Sequence, residues 1–250
     1  MIPEPPLELV PEPAPEPERY PFWNYIDVLV FAELAIPCIL LGVGVVKGAF
    51  WVLHLHPAVK TWELLLEQFA GYAPLFGALF AILRLQYGRP FWQSLAWIHA
   101  RMPLIGIVLA GAAAVVAVSL LASAIQTPNT SNPMMELLKD RTSIILIAIF
   151  GVTVGPLCEE LAFRGFLQPL LVRSLGTIPG ILAAAVPFGL LHFQEYGNSW
   201  KHVLLISLAG AAFGWMRHAT GSTRAATIMH GVYNALFFVA FIAQTKLPER

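Results

Sequence analysis

Three apolar segments of this 250-residue sequence contain polar side chains that are able to carry out hydrolytic chemistry. The first segment holds Glu159, Glu160 and Arg164 within the run GPLCEELAFRG. A charged side chain at the centre of a bilayer costs about 2.5–3.5 kcal/mol on insertion scales, so three of them indicate function rather than packing alone. Glu160 and Arg164 are spaced i and i+4 and can pair on one helix face. Glu159 lies about 100° around the helix from Glu160 and is free for chemistry.

The other polar positions lie in two later apolar segments. His192 follows Phe188 by four residues in PFGLLHF, and alone it would suit either a buried core histidine or a site. His230 and Asn234 are spaced i and i+4, so they share one helix face, which must point into a bundle. Such a pair either holds helices together by hydrogen bonds or forms part of a site.

Taken together, these side chains are of the types that peptide hydrolysis requires. A carboxylate can act as a general base, and an imidazole can orient the attacking water. A second imidazole and an amide N–H can stabilise an oxyanion. Three separate segments supplying such groups favour a site over three unrelated packing contacts.

The composition indicates that these segments lie in a membrane. Hydrophobic residues make up 57% of the chain and charged residues 12%, with a mean hydropathy of +0.68. A soluble domain carries roughly a quarter charged residues, so this chain has too few to cover a soluble surface. A net charge of zero does not provide the basic face that nucleic-acid binding needs. Cys38 and Cys158 lie in apolar runs and indicate no disulfide framework.

We predict an all-α fold, a polytopic transmembrane helix bundle of about seven spans (six to eight) with an internal polar catalytic cavity. A short interfacial piece rich in Trp and Arg, residues 84–101, separates the second and third spans. Basic residues divide evenly between the two sides of this bundle, seven on each, so the charge bias leaves the orientation open. The predicted spans are 26–50, 62–83, 103–125, a fourth from about 143 through Glu159, 178–193, 202–217 and 224–243.

Three regions are predicted along the chain. Residues 1–22 alternate Pro and Glu, so we expect a disordered tail that serves as a spacer or, alternatively, binds a partner. Residues 23–142 are expected to form the N-terminal transmembrane helices. Residues 143–244 are expected to form the catalytic helical core.

The order and spacing of the polar motifs resemble those of the CAAX prenyl protease and bacteriocin-processing (CPBP) family of intramembrane endopeptidases. That family includes the type II CAAX endopeptidase of eukaryotes. Pro156 before the acidic pair and the run FRGFL after it are similar too, and the resemblance covers about residues 143–240. The three motifs are Glu159-Glu160-x-x-x-Arg164, Phe188-x-x-x-His192 and His230-x-x-x-Asn234.

The resemblance implies a role for each catalytic position. Glu159 would activate the water as general base, and His192 would bind and polarise that water. His230 and Asn234 would form the oxyanion hole. The supporting positions are Glu160 paired with Arg164, and Phe188, which would shape the pocket.

The cofactor is either none or a divalent metal, zinc. A Glu and two His, here Glu159, His192 and His230, are able to form a catalytic zinc site with an open fourth position. The competing mechanism within the family is that of a metal-free glutamate protease. Asn234 favours the second mechanism, because an amide is a poor zinc ligand but a good oxyanion donor.

We therefore expect an intramembrane endopeptidase in a multi-pass position, in the plasma membrane of a bacterium. Its expected partners are a peptide or membrane-protein substrate and the lipid bilayer, with no nucleic acid. A CAAX-like or prenylated substrate follows from the resemblance alone. The alternatives are a non-catalytic membrane scaffold or immunity protein of the same family and an ion- or proton-coupled transporter.

Overall fold

The computed structural model describes residues 19–57, 59–128 and 140–244, and the regular secondary structure in these ranges is entirely helical. The prediction of an all-α helix bundle is therefore confirmed. Residues 1–18 of the predicted tail lie outside the described residues. Numbered in chain order within the described ranges, the helices are α1 (Tyr25–Val52), α2 (Lys60–Phe80), α3 (Phe91–Ser94), α4 (Leu104–Ala124), α5 (Arg141–Val152), α6 (Val154–Glu160), α7 (Gln168–Leu175), α8 (Thr177–Leu191), α9 (Trp200–Thr220) and α10 (Thr223–Gln244).

Helices stand at all seven positions predicted for membrane spans. Four described helical segments are long and apolar enough to cross a membrane, namely Tyr25–Val52, Lys60–Gln86, Leu104–Ala124 and Arg141–Leu175, and α8 is a shorter apolar helix. The last two helices, α9 and α10, have 21 and 22 residues but carry more polar side chains. The total of seven spans stays a prediction.

The fourth predicted span is not one regular helix. It breaks at Thr153, where φ is −118° and ψ is −79°, and it contains the π-helical segment Leu161–Leu167 between α6 and α7. π-Helical turns are rare in proteins overall, but those that occur are often found at functional sites. Here the π-helical segment begins directly after the acidic pair, so it sets the rotation of α7 relative to Glu159 and Glu160.

The bundle has two ends, which are identified by contacts between distant parts of the chain. At one end, Tyr20 Oη donates to the Ser94 carbonyl at 3.3 Å, and Thr223 Oγ1 donates to the Leu95 carbonyl at 2.6 Å. At the opposite end, Lys201 Nζ donates to the Ile125 carbonyl at 2.8 Å. We call the first the arginine end, because the chain places there Arg19, Arg84, Arg89, Arg101, Arg173, Arg217 and Arg224.

Trp23 fastens the start of the chain to the segment that follows the acidic pair. Its side chain is fully buried, and its Nε1 donates to the Phe166 carbonyl at 3.0 Å. The two rings also pack with their centroids 5.2 Å apart. This contact holds the π-helical segment against the residues that lead into α1.

Candidate active site

Glu160 and Arg164 form a fully buried ion pair. Arg164 Nη1 donates to Glu160 Oε1 at 2.8 Å, and the two side chains are 1% and 0% exposed. The guanidinium also donates through Nη2 to the Gly210 carbonyl at 2.7 Å and lies over the Phe188 ring, 4.4 Å from its centroid. A Cβ atom at position 210 would lie 2.9 Å from Arg164 Nη2, so glycine gives the guanidinium its space. The ion pair thereby ties the π-helical segment to α8 and α9.

His230 on α10 connects this ion pair to Glu159. Its Nδ1 donates to Glu160 Oε1 at 3.0 Å, and its Nε2 lies 3.8 Å from Glu159 Oε2. Because a carboxylate oxygen only accepts hydrogen bonds, Nδ1 carries a proton and Nε2 is the nitrogen that faces Glu159. Phe213 stacks on the imidazole with the ring centroids 4.4 Å apart and the planes at 19°. The ring is therefore held in one orientation.

The two adjacent carboxylates have different surroundings. The Glu160 side chain is 0% exposed, whereas the Glu159 side chain is 27% exposed. A step of one residue turns a side chain by about 100° around a helix, which moves Glu159 out of the buried ion pair. Glu159 is thus the carboxylate that a substrate or a water molecule can reach.

His192 is the C-cap residue that directly follows α8, and Phe188 connects it to the other motif residues. Its Nδ1 donates to the Phe188 carbonyl at 2.9 Å, so in the neutral ring Nε2 carries the lone pair. The Phe188 ring lies 5.1 Å from the His192 ring and 5.9 Å from the His230 ring. Within the described residues, no hydrogen bond or ion pair joins His192 directly to Glu159.

Asn234 lies one turn beyond His230 on α10 and contacts the break in the fourth span. Its Nδ2 donates to the Gly151 carbonyl at 2.7 Å. The last carbonyls of a helix have no donor within that helix, and α5 ends at Val152, so Asn234 satisfies one of them. An amide nitrogen carries two N–H groups, and the second is able to serve another acceptor.

Glu195 is a nearby residue that the sequence motifs did not indicate. It lies in the turn after His192, is partly buried, and interacts electrostatically with both His192 and Glu159. Two tyrosines, Tyr72 and Tyr196, also interact electrostatically with Glu159. The available signal was an acidic residue three positions after a motif histidine, but a turn has no periodicity that predicts where its side chains point.

Burial raises the pKa of the Glu195 carboxyl, which the charge of His192 opposes and the charge of Glu159 reinforces. The native protein then holds a proton that the unfolded chain releases near pH 4.3, so stability falls as the pH rises above about 4.3 and through the native pKa. Variant Glu195→Gln lacks this titration. We expect its apparent Tm to match that of the wild type near pH 4 and to exceed it near pH 7.5. The difference should be about 2–4 °C for each kcal/mol of pH-dependent destabilisation that the substitution removes.

The measurement for Glu195 is thermal unfolding of the detergent-solubilised protein across this pH range. Glu33→Gln is the matched control, because Glu33 is an exposed carboxylate in α1 and should leave the pH dependence unchanged. An identical pH dependence of Tm in wild type and Glu195→Gln would rule out the raised pKa.

The site does not present a cluster of metal ligands. In the ranges that the structure describes, no three His, Cys, Asp or Glu side chains are grouped so that they could hold a metal ion. Of the three ligands predicted for zinc, Glu159 and His230 are close to each other, but His192 has no direct contact with Glu159. The residues as arranged do not fit a three-ligand zinc site.

Fold and site together define a class of protein, a helical membrane protein with a carboxylate–histidine site buried among its helices. Residues 141–236 match the Rce1-like family, described as "Type II CAAX prenyl endopeptidase Rce1-like". The matched segment contains every motif residue, and the resemblance read from the motifs is confirmed. No curated protein and no solved structure matched the chain.

This family is one of proteases, so the finding supports a protease in general. Together with the apolar helices it identifies an integral membrane protein. The match begins where α5 begins and ends two residues after Asn234. It does not extend to α1–α4.

Proposed function

We propose that this protein hydrolyses peptide bonds inside the membrane, with Glu159 as the general base. The observation that carries the proposal is the position of the partly exposed Glu159 carboxylate, 3.8 Å from Nε2 of His230. The other nitrogen of that imidazole is bonded to the buried ion pair of Glu160 and Arg164. A carboxylate in such a place can take the proton of a water molecule as the water attacks a carbonyl carbon.

His192 is proposed to orient the attacking water. The Nδ1–H of its ring is directed to the Phe188 carbonyl, which leaves Nε2 to accept a hydrogen bond from the water. Glu159 and His192 come from α6 and from the end of α8, and the absence of direct contact between them leaves space for a shared water. After the attack, Glu159 would pass the proton it has taken to the departing amine.

His230 and Asn234 are proposed to stabilise the oxyanion of the tetrahedral intermediate. Asn234 offers its second amide N–H, since the first is bonded to the Gly151 carbonyl. His230 would offer Nε2–H when both of its ring nitrogens carry a proton, with Nδ1–H directed to the Glu160 carboxylate. Removal of one oxyanion donor typically lowers kcat by about 10²–10³-fold, so both residues are expected to matter.

We further propose that the mechanism is of the metal-free glutamate type. The amide of Asn234 suits an oxyanion better than zinc, and among the described residues His192 has no direct contact with Glu159. The substrate is proposed to be a membrane-associated or CAAX-like peptide. The family match supports this substrate class, and so does a site that lies among apolar helices.

The test is cleavage of quenched fluorescent peptides, both prenylated CAAX peptides and an unprenylated library, by the purified protein. We expect cleavage that is unchanged by strong metal chelators. Loss of cleavage with a chelator and its return with zinc would contradict the metal-free mechanism but not the protease. Absence of cleavage with every peptide would favour a non-catalytic scaffold, and flux across vesicles would then test the transporter.

A further inference from the structure

A recess of about 270 Å³, lined in part by charged and polar side chains, opens at the arginine end of the bundle, and the proposed catalytic residues do not line it. It lies one helical turn beyond Arg164, because Gln168 Nε2 donates to the Gly214 carbonyl at 2.9 Å just as Arg164 donates to that of Gly210. The side chains that line it and bear on its chemistry are Tyr20, Gln168, Arg173, Arg217 and His218.

Arg217 is the most unusual group in this recess. Arg217 is only 9% exposed, and its guanidinium donates to Thr223 Oγ1 at 3.0 Å and to Tyr20 Oη at 3.1 Å. The more exposed Arg173 donates to the Pro21 carbonyl. Within the described ranges, neither guanidinium has a carboxylate at ion-pair distance. A buried charge without a counter-ion is costly, so the recess favours an anion.

The neighbouring side chains do not supply the missing negative charge. Burial raises the pKa of Tyr20, and the charge and hydrogen bond of Arg217 oppose this rise without cancelling it. The phenol is therefore neutral at physiological pH. Among the described acidic residues, Asp27 is the one at this end, and it accepts hydrogen bonds from Tyr87 at 2.6 Å and Gln86 at 3.1 Å instead.

An exposed apolar strip leads along α9 to the rim of the recess. Leu204, Leu208 and Trp215 lie on one face of the helix and are 49%, 40% and 55% exposed. The Trp215 ring lies 5.7 Å from that of His218, which lines the recess. In a bilayer this strip contacts acyl chains, and tryptophan at its end suits the headgroup level. The ligand is therefore expected to have a lipid tail as well as an anionic head.

We propose that this recess binds the headgroup of an anionic phospholipid, for which phosphatidylglycerol is the probe. Arg173 and Arg217 hold the phosphate through charge-assisted hydrogen bonds. A water molecule occupies about 30 Å³ in the liquid, so the recess has room for a glycerol phosphate group. Basic pockets between transmembrane helices bind lipid headgroups in this way. The site is independent of the protease activity.

The test is a binding titration of the delipidated full-length protein. The three ligands are short-chain phosphatidylglycerol, the matching phosphatidylcholine and inorganic phosphate, so that a lipid headgroup is distinguished from a free anion. We expect saturable binding of one phosphatidylglycerol, with the other two ligands at least about tenfold weaker. Arg173→Gln should weaken that binding by about tenfold, the loss of one charge-assisted hydrogen bond.

Two further variants make the titration specific. Arg101→Gln removes an exposed arginine at the same end that does not line the recess, and it should leave the affinity nearly unchanged. Arg217→Lys keeps the charge but loses the two-pronged guanidinium, and it should bind less tightly while its thermal unfolding shows a folded protein. Wild-type affinity in both Arg173→Gln and Arg217→Lys would overturn the proposal, as would an equal loss in Arg101→Gln.

Two other outcomes would also overturn it. Inorganic phosphate that binds as tightly as phosphatidylglycerol would assign the recess to a soluble anion. Residues 1–18 contain five glutamates that could occupy the recess instead. If lipid binds only to a full-length chain in which these five glutamates are replaced by Gln, the recess is assigned to the chain's own N-terminal segment.

Discussion

Replacement of Glu159 by Gln is expected to lower peptide cleavage by about 10²–10⁴-fold and to leave the folded protein intact. Gln has the size and shape of Glu, but its amide cannot take the proton of the attacking water. The Glu159 side chain is 27% exposed and lies outside the buried ion pair, so the substitution breaks no buried contact. The effect should therefore appear in kcat and not in the apparent Tm.

The measurement is kcat and KM of purified wild type and Glu159→Gln on the same cleaved peptide. Glu33→Gln is again the matched control, an exposed carboxylate within the apolar α1. Cys158→Ser tests the neighbouring thiol as a nucleophile and should retain activity. Full activity of Glu159→Gln would remove Glu159 as the base, and Glu195 would then be the carboxyl to examine.

The position of the helices could be predicted from the sequence because apolar runs of about twenty residues are sufficient to identify them. The break in the fourth span could not be predicted in this way. The helix α5 ends at Val152, before Thr153, and the Gly151 carbonyl accepts a hydrogen bond from Asn234, which lies 83 residues further along the chain. Local periodicity contains no information about a partner so distant, and the sequence therefore predicted one continuous helix through Glu159.

Within the site, too, contacts within one helix could be predicted from the sequence, whereas contacts between helices could not. The ion pair of Glu160 and Arg164 could be anticipated, since residues spaced i and i+4 face each other on one helix. The bond from His230 to Glu160 depends on the way α10 packs against α6, which spacing along the chain does not determine. Motif spacing thus predicts the candidate residues of the site, whereas the contacts between their helices are visible only in the structure.

The second large effect is expected at Arg164, and it concerns stability. Arg164→Gln leaves the Glu160 carboxylate, which is 0% exposed, without its cation. Removal of one partner from a buried ion pair typically costs about 3–5 kcal/mol, a large part of the stability of most proteins. We expect a strongly lowered apparent Tm and a low yield of folded protein, and Arg101→Gln is the exposed control.

The double variant Glu160→Gln with Arg164→Gln separates charge from shape. It buries no uncompensated charge, so it should be more stable than Arg164→Gln alone, which a double-mutant cycle would record as a favourable coupling of the two positions. Its cleavage activity should stay low, because His230 Nδ1 then faces a neutral amide and the imidazole loses the carboxylate that orients it. A double variant less stable than Arg164→Gln would show that the Glu160 carboxylate stabilises the fold through His230 even without its cation. Recovery of activity together with stability would show that Glu160 serves the fold alone, and that the oxyanion role of His230 does not depend on its buried partner.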